Sequence, residues 1–496
     1  MHTTTSASLS PKILMNIAGF LEGDTKALLN LSYVSRLFNQ IATPLLYSNF
    51  RQLESWPVDK NKTLYAFLWT VLSRPHLAEH VKHIALQQMG TDEGLGLDPD
   101  QELIDLATQR INTTCSSLLR TDVAKDFNDE WLAAIRNTIP EAYLTLLICA
   151  LPNLETLFFV EGYEPNILYT VLKAVVTQLK QAKILDEVPA GLPFTKLRTV
   201  KTWSDDMKYG YLGFDGLYPF FELPSMRGFE IGLANGEWGN IGAPDGAQMW
   251  KIEPRSSNID KLSFQYSAFT GPCMRAMVRS CKSLKQFQFT YGKIHMYEVD
   301  FFPKDLLDEL LGHADSLEVL RINYDDDWDK VLWHENEIES SDLVFDSKLK
   351  KLTKLKQLSV NSSILFGPNG DGRTDNNEPE VLVSPARFNL AESLPPLLEE
   401  LEIYTCDANV VLHLSDIAQA RMQGQLKSLA LVRCYVAEEK IEQGDLNVVE
   451  IPGVKVDCAI LSQEEREALI DIVERGYSNR PLESFILQDH PLLWNA

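Results

Sequence analysis

The sequence predicts an α/β chain: three short helices at the N-terminus, then an irregular solenoid of helix–turn–strand units whose strands form a concave parallel sheet. Three observations predict it. Apolar residues recur at helical spacing over the first fifty positions, as on one face of a helix. Beyond residue 80 they recur in a short motif, apolar-x-x-apolar-x-apolar, and several copies follow a helical-looking stretch. The composition, 45% hydrophobic and 23% charged over 496 residues, is sufficient for a large core.

The N-terminal helices come first. Ser10 before Pro11 is the order expected where a hydroxyl caps the free amides and proline takes the first helical position. Ile13, Ile17 and Leu21 then lie four apart, with Leu14 beside them. Asp24 is placed to cap a second helix carrying Leu28 and Leu31. A third carries Val34, Phe38 and Ala42 before Pro44, which discourages continuation. So small a module cannot hide all its large apolar side chains and is expected to share them, either with the domain it precedes, as a helical cap, or with a partner.

The run Leu9, Ile13, Leu14, Ile17, Leu21, Asp24, Leu28, then Val34-Ser35-Arg36 with Phe38, continuing into Ala42-Thr43-Pro44-Leu45-Leu46-Tyr47, resembles the F-box of fungal F-box proteins. Two positions depart from that family: its usual Leu-Pro opening is Leu9-Ser10 here, and its common glutamate is Lys12. The resemblance implies an F-box over residues 7–50 that docks on a Skp adaptor, which a cullin scaffold links to a ubiquitin-conjugating enzyme. It further implies Leu9, Ile13, Leu14, Ile17, Leu21, Leu28, Val34 and Phe38 as adaptor-binding candidates. Residues 51–80 are expected to form a helical linker to the solenoid.

Copies of the repeat motif start at Val81, Leu154, Leu197, Met226, Ile259, Leu284, Leu317, Leu355, Leu398, Leu426 and Leu482. From Leu154 onward their starts lie 25 to 56 residues apart, so the period is irregular. One strand and one helix cannot enclose a core, whereas stacked neighbours bury a continuous apolar column. The unit resembles a leucine-rich repeat, and two copies, LEELEIYTC ending in Cys406 and LKSLALVRC ending in Cys434, are similar to its cysteine-containing form. The solenoid is expected over residues 81–496, with insertions at about 101–151, 325–342, 367–380 and 436–458. The first insertion has room for helices at Glu102–Leu119 and Asp129–Leu151.

Catalytic signatures are lacking: no Gly-x-Ser-x-Gly, no phosphate-binding Gly-x4-Gly-Lys-Ser/Thr and no His-Glu-x-x-His occurs. No enzyme activity and no cofactor are expected. His76, His80 and His83 fall near helical metal-ligand spacing, but Val81 already begins a strand and no carboxylate or cysteine completes a site, so exposed polar positions are the expectation. Seven scattered cysteines without a Cys-x-x-Cys pair point away from disulfides and zinc. The net charge of -23 argues against nucleic acid, which needs cations to displace counterions. No apolar run is long enough to span a membrane and no signal segment precedes the helices, so cytoplasm and/or nucleus is expected.

Strand alternation suggests where a protein target would sit. The second and third apolar residues of each motif face the core, so the residues between and after them face out. That register predicts Phe158, Lys201 with Trp203, Glu230, Arg321, and Glu402 with Tyr404 on the concave face. Tyr266, Tyr291 and Tyr324 fall at equivalent positions in three successive copies, either as a ladder along that face or packed at the strand-to-loop turn. The target-binding candidates are therefore Phe158, Trp203, Tyr266, Tyr291, Arg321, Tyr324 and Tyr404. The function these features imply is the substrate-recognition subunit of an SCF-type ubiquitin ligase. The alternative is a repeat scaffold for protein interaction with no ligase role.

Overall fold

The computed structural model of the chain describes residues 10–21, 23–52, 61–86, 99–161, 166–185, 191–204, 214–232, 234, 252–267, 269, 271–291, 303–323, 345, 347–366, 389–406, 410–437 and 449–461. Two compact units divide it, the first running through Lys201 and the second taking up the chain from Thr202, apart from short segments exchanged between them.

The first unit opens with α1 (Pro11–Gly19), α2 (Thr25–Val34) and α3 (Arg36–Ser48). Each begins at a side-chain cap: Ile13 donates its amide to Ser10 Oγ at 3.4 Å, Ala27 to Asp24 Oδ1 at 2.9 Å and Phe38 to Ser35 Oγ at 3.3 Å. The first two caps are as the sequence predicts. Pro44 does not end α3, which runs on to Ser48. Proline removes one intrahelical donor, but Ile41 and Ala42 before it and Ser48 after it are buried and hold the helix in place.

Strand β1 (Asn49–Gln52) follows at once and pairs in parallel with β2 (His83–Leu86), Phe50 opposite Ile84 and Gln52 opposite Leu86. The strand ladder thus begins inside the expected F-box boundary, one motif copy earlier than Val81. Between them lie α4 (Asn61–Ser73) and the short α5 (Pro75–Ala78). The expected helices Glu102–Leu119 and Asp129–Leu151 are three: α6 (Gln101–Leu118), α7 (Thr121–Arg136) and α8 (Pro140–Ala150). Pro140 starts α8 because its ring suits a first helical position and no interior one. Every residue of α8 from Ala142 to Ala150 is buried, and two aromatic side chains tie it to its surroundings through backbone carbonyls. Trp131 Nε1 donates to Ala142 O at 3.1 Å and the Tyr143 hydroxyl to Ile135 O at 3.0 Å. Strand β3 (Thr156–Glu161) pairs with β2, and α9 (Asn166–Leu185) follows it.

Strand β4 (Thr199–Ser204) comes next. The second unit then carries α10 (Phe214–Glu222), β5 (Gly228–Gly232), β6 (Lys261–Ser267), α11 (Gly271–Ser280), β7 (Gln286–Tyr291), α12 (Pro303–Leu311) and β8 (Val319–Asn323). After these come β9 (Gln357–Asn361), β10 (Glu400–Cys406), a helix Val410–Met422, β11 (Leu431–Ala437) and β12 (Lys455–Leu461). Strands β1 to β3 in the first unit and β5 to β12 in the second are each ordered as they occur in the chain and pair in parallel. Sequential order is what short repeat units dictate, since each strand can reach only its neighbours.

Register converts the motif into two core columns. The second motif positions, Phe229, Leu262, Phe287, Leu320, Leu358 and Leu401, lie opposite one another, as do the third, Ile231, Phe264, Phe289, Ile322, Val360 and Ile403. All twelve are at most 2% exposed. Just ahead of each strand one carbonyl accepts two amides from the next unit: Asp260 O from Lys285 and Gln286, Lys285 O from Glu318 and Val319, Glu318 O from Lys356 and Gln357, Lys356 O from Glu399 and Glu400. The residues at this turn position alternate in charge, and Lys285 pairs with Asp260 at 3.2 Å and Lys356 with Glu318 at 2.7 Å.

The copy assigned to Leu426 is out by three residues. Strand β11 sets Val432 opposite Leu401 and Cys434 opposite Ile403, so the motif is Leu429, Val432 and Cys434. Leu431 leaves the core and Leu426 sits in a turn at φ 47. The expected equivalence of Cys406 and Cys434 fails with it: Cys406 lies opposite Val436, beyond a bulge that places Thr405 at φ 53. The region 436–458 is not wholly an insertion, since β12 begins within it, at Lys455, and puts Cys458 opposite Cys434. The expected insertions 325–342 and 367–380 and the copy at Leu482 lie outside the described residues.

Candidate protein-interaction surfaces

In the first unit, helical geometry leaves an apolar face uncovered on α1 to α3. Ile13, Ile17 and Phe20 recur at i, i+4 and i+7 and are 46%, 50% and 89% exposed. Met15, Leu29, Tyr33, Val34 and Leu37 are exposed as well. Only four further large apolar side chains are exposed among the described residues, Val123, Ile139, Leu397 and Met422, and they lie far apart in the chain. Concentration of such groups in one small segment marks a surface that excludes water only when something docks on it.

Of the predicted adaptor-binding residues, Ile13, Ile17 and Val34 are exposed on this segment, and Leu14, Leu21 and Phe38 are half-buried. Leu28 is corrected: at 2% exposure it packs within the helical module rather than facing out. Leu9 lies outside the described residues. Phe20, Tyr33 and Leu37 were missed, although counting seven rather than eight positions on from Ile13 reaches Phe20.

In the second unit, the outward side of the strands carries a polar row. Glu230, Ser263, Gln288, Arg321, Ser359, Glu402, Arg433 and Asp457 follow one another at matched register from β5 to β12. Arg433 forms an ion pair with Glu402. The next outward position brings Tyr404 and Tyr435 into a stack, ring centroids 4.8 Å apart and planes 7° from parallel. The Tyr404 hydroxyl donates to Glu402 Oε2 at 3.3 Å. Burial, and then the charge of Glu402, pushes its ionisation well above the usual phenol range, so Tyr404 acts as a neutral donor.

Arg321, Glu402 and Tyr404 therefore lie together on one face, as alternation predicts, with Glu230 in the same row. Three other candidates are corrected because alternation fixes the face of a side chain and not its accessibility. Phe158 is 4% exposed in β3, opposite the small Ala85. Trp203 is 7% exposed because its indole lies against Gly232, where a Cβ would collide with the ring. Tyr291 is 2% exposed and meets Phe289 edge-on at 6.2 Å. The tyrosine ladder also loses its register. A bulge in β6 places Tyr266 at φ 48 and aligns Ser267, not Tyr266, with Tyr291. Tyr266 is half-buried, Lys201 likewise, and Tyr324 lies outside the described residues. Ser359 and Gln288 were missed although the copies at Leu355 and Leu284 already place them between core positions, and Arg433 and Tyr435 were missed because the β11 copy was out of register.

Among the described residues, no group of three or more His, Cys, Asp or Glu is arranged to hold a metal ion. His76 is exposed and His80 and His83 are half-buried. No helix among the described residues is long and apolar enough to cross a membrane.

Comparison with known families matches residues 60–414 to the leucine-rich repeat domain. No curated protein matches the chain. The matched region covers well over half of the sequence, and its stacked parallel strands with two apolar columns are the architecture that repeat requires. The chain belongs to the leucine-rich repeat domain family.

Proposed function

We propose that this protein is the substrate-recognition subunit of an SCF-type ubiquitin ligase, engaging a Skp adaptor, and through it a cullin scaffold, with α1 to α3, and a target protein with the repeats. Leucine-rich repeat domains are typically non-catalytic interaction modules, which suits a receptor whose contribution is proximity. Holding a target lysine beside a ubiquitin thioester turns a bimolecular encounter into an effectively intramolecular one. The reacting cysteine then belongs to another protein.

The observation that carries this reading is the exposed apolar face of α1 to α3, centred on Ile13, Ile17, Phe20, Tyr33 and Val34. A helical cap on the repeats would bury such a face, whereas an adaptor-binding module keeps it free. Ile13, Ile17 and Val34 are also among the residues that resemble an F-box, which supports an adaptor of the Skp kind as the partner. Affinity purification after proteasome inhibition tests it, comparing the full chain with one lacking residues 1–48, which keeps β1 for the sheet. Adaptor and cullin are expected only with the full chain. Their absence from both would leave a repeat scaffold without a ligase role.

A further inference from the structure

We propose that Lys12, Lys26 and Arg36 form a basic rim along the exposed apolar face of α1 to α3, and that the partner it fits is an acidic protein surface, with carboxylates flanking an apolar groove. This deepens the adaptor-binding half of the function proposed above and rests on that reading for the identity of the partner.

Helical spacing sets the cations beside exposed apolar side chains. Lys12 lies three residues before Met15, and Lys26 lies three before Leu29 and seven before Tyr33, spacings that share one helix face. Arg36 opens α3 between Val34 and Leu37. All three cations are exposed, as are the apolar residues they neighbour. Among the described residues, Lys12, Lys26 and Arg36 form no ion pair and no side-chain hydrogen bond. Lysines elsewhere do find partners: Lys285 pairs with Asp260 at 3.2 Å and Lys356 with Glu318 at 2.7 Å.

Residues 10–48 set these three cations against two acids, Glu22 and Asp24, a net charge of +1 within a chain of -23. At the chain's average of 69 acids in 496 residues, about five would fall in a segment of this length. One of the two, Asp24, is engaged in capping α2 through the Ala27 amide. Lys12 stands where the F-box family commonly carries glutamate, so the rim belongs to this chain and not to the family pattern. Salt at physiological strength screens charges beyond about 8 Å, so cations bordering the face act on whatever docks there while distant acids do little. Rim charges of this kind set association rate and choice of partner more than affinity. A protein is favoured over an anionic membrane, because a bilayer would extend beneath the rest of an acidic chain and be repelled by it.

Association of the purified full chain with a purified Skp adaptor, followed by stopped-flow fluorescence at two salt concentrations, tests the rim. In about 0.15 M NaCl the variant Lys12→Gln, Lys26→Gln, Arg36→Gln is expected to associate about fivefold or more slowly than the unsubstituted chain, with little change in dissociation rate or Tm. The variant Lys125→Gln, Lys354→Gln, Lys427→Gln removes the same charge at exposed positions outside α1 to α3 and is expected to keep the full rate. In about 1 M NaCl, where screening acts within about 3 Å, the three proteins are expected to converge. Lys12→Glu, which restores the family's residue, is expected to slow association. Faster association by Lys12→Glu, equal slowing by the two triple variants, or a rim variant as fast as the unsubstituted chain overturns the rim and leaves the adaptor reading intact. An unsubstituted chain that binds no adaptor at either salt concentration removes both. Co-sedimentation with phosphatidylserine vesicles that is lost in the rim variant assigns the cations to a membrane and likewise overturns the proposal.

Discussion

At the scale of single residues, two buried polar groups in the second unit behave in opposite ways. Thr202 occupies the third motif position, where most other repeats place an apolar side chain; it is fully buried and its hydroxyl has no hydrogen-bond partner. Removing an unsatisfied buried hydroxyl at constant shape is neutral or stabilising. Thr202→Val is therefore expected to hold or raise stability by about 1 kcal/mol, and a clear fall in Tm would show that the hydroxyl is used. His313, in contrast, is a buried histidine with both ring nitrogens engaged. Leu284 N and Arg255 Nη1 lie 3.1 and 2.9 Å from its Nδ1, and Val278 O lies 3.1 Å from its Nε2. Burial, and then the Arg255 charge, lowers its pKa to about 4. Because the folded value lies below the ordinary 6.5, the stability it contributes is complete above pH 6.5 and is lost as pH falls toward 4. A shift of this size corresponds to roughly 2–4 kcal/mol. Denaturant unfolding measured across this window is expected to show the decline, and His313→Gln to flatten it even while lowering stability overall; an unchanged slope would place the titration elsewhere.

Elements show how far one sequence carries. The helices of the N-terminal segment were legible because Ser10 and Asp24 are caps with a mechanism. Strands β2 to β10 were legible because the motif alternates with a fixed period of two. What escaped notice was tertiary. Pro44 inside α3 is tolerated only because buried neighbours hold the helix. The register of β11 is decided by its pairing with β10, since LKSLALVRC contains two overlapping matches to the motif. The bulges at Tyr266 and Thr405 lengthen their strands by one residue, which alternation alone does not reveal. Within α1 to α3, burial separates the residues that pack from those proposed to dock. Leu28→Ala is expected to destabilise the protein by roughly 2–5 kcal/mol, as buried leucine truncations do. Ile17→Asp, at a half-exposed position, is expected to leave Tm nearly unchanged. Equal losses of Tm would mean that the exposed face packs against the protein itself.

For the whole molecule, the repeat architecture was readable from the motif, whereas the candidate surfaces were only half readable. Alternation identified Arg321, Glu402 and Tyr404 as outward-facing, but it could not tell that Trp203 lies against Gly232 or that Phe158 and Tyr291 are covered. Accessibility depends on what flanks a side chain, and that is a property of the assembled sheet. The central claim is that α1 to α3 hand an apolar face to a Skp adaptor. The most direct measurement is titration calorimetry of the purified full chain with the purified adaptor, set beside the Ile17→Asp, Val34→Asp double variant. Hot-spot residues at such interfaces cost more than about 2 kcal/mol each, so the unsubstituted chain is expected to form a one-to-one complex and the folded double variant none that is measurable. Equal affinity in the two proteins, or no heat of binding with either, would contradict the claim.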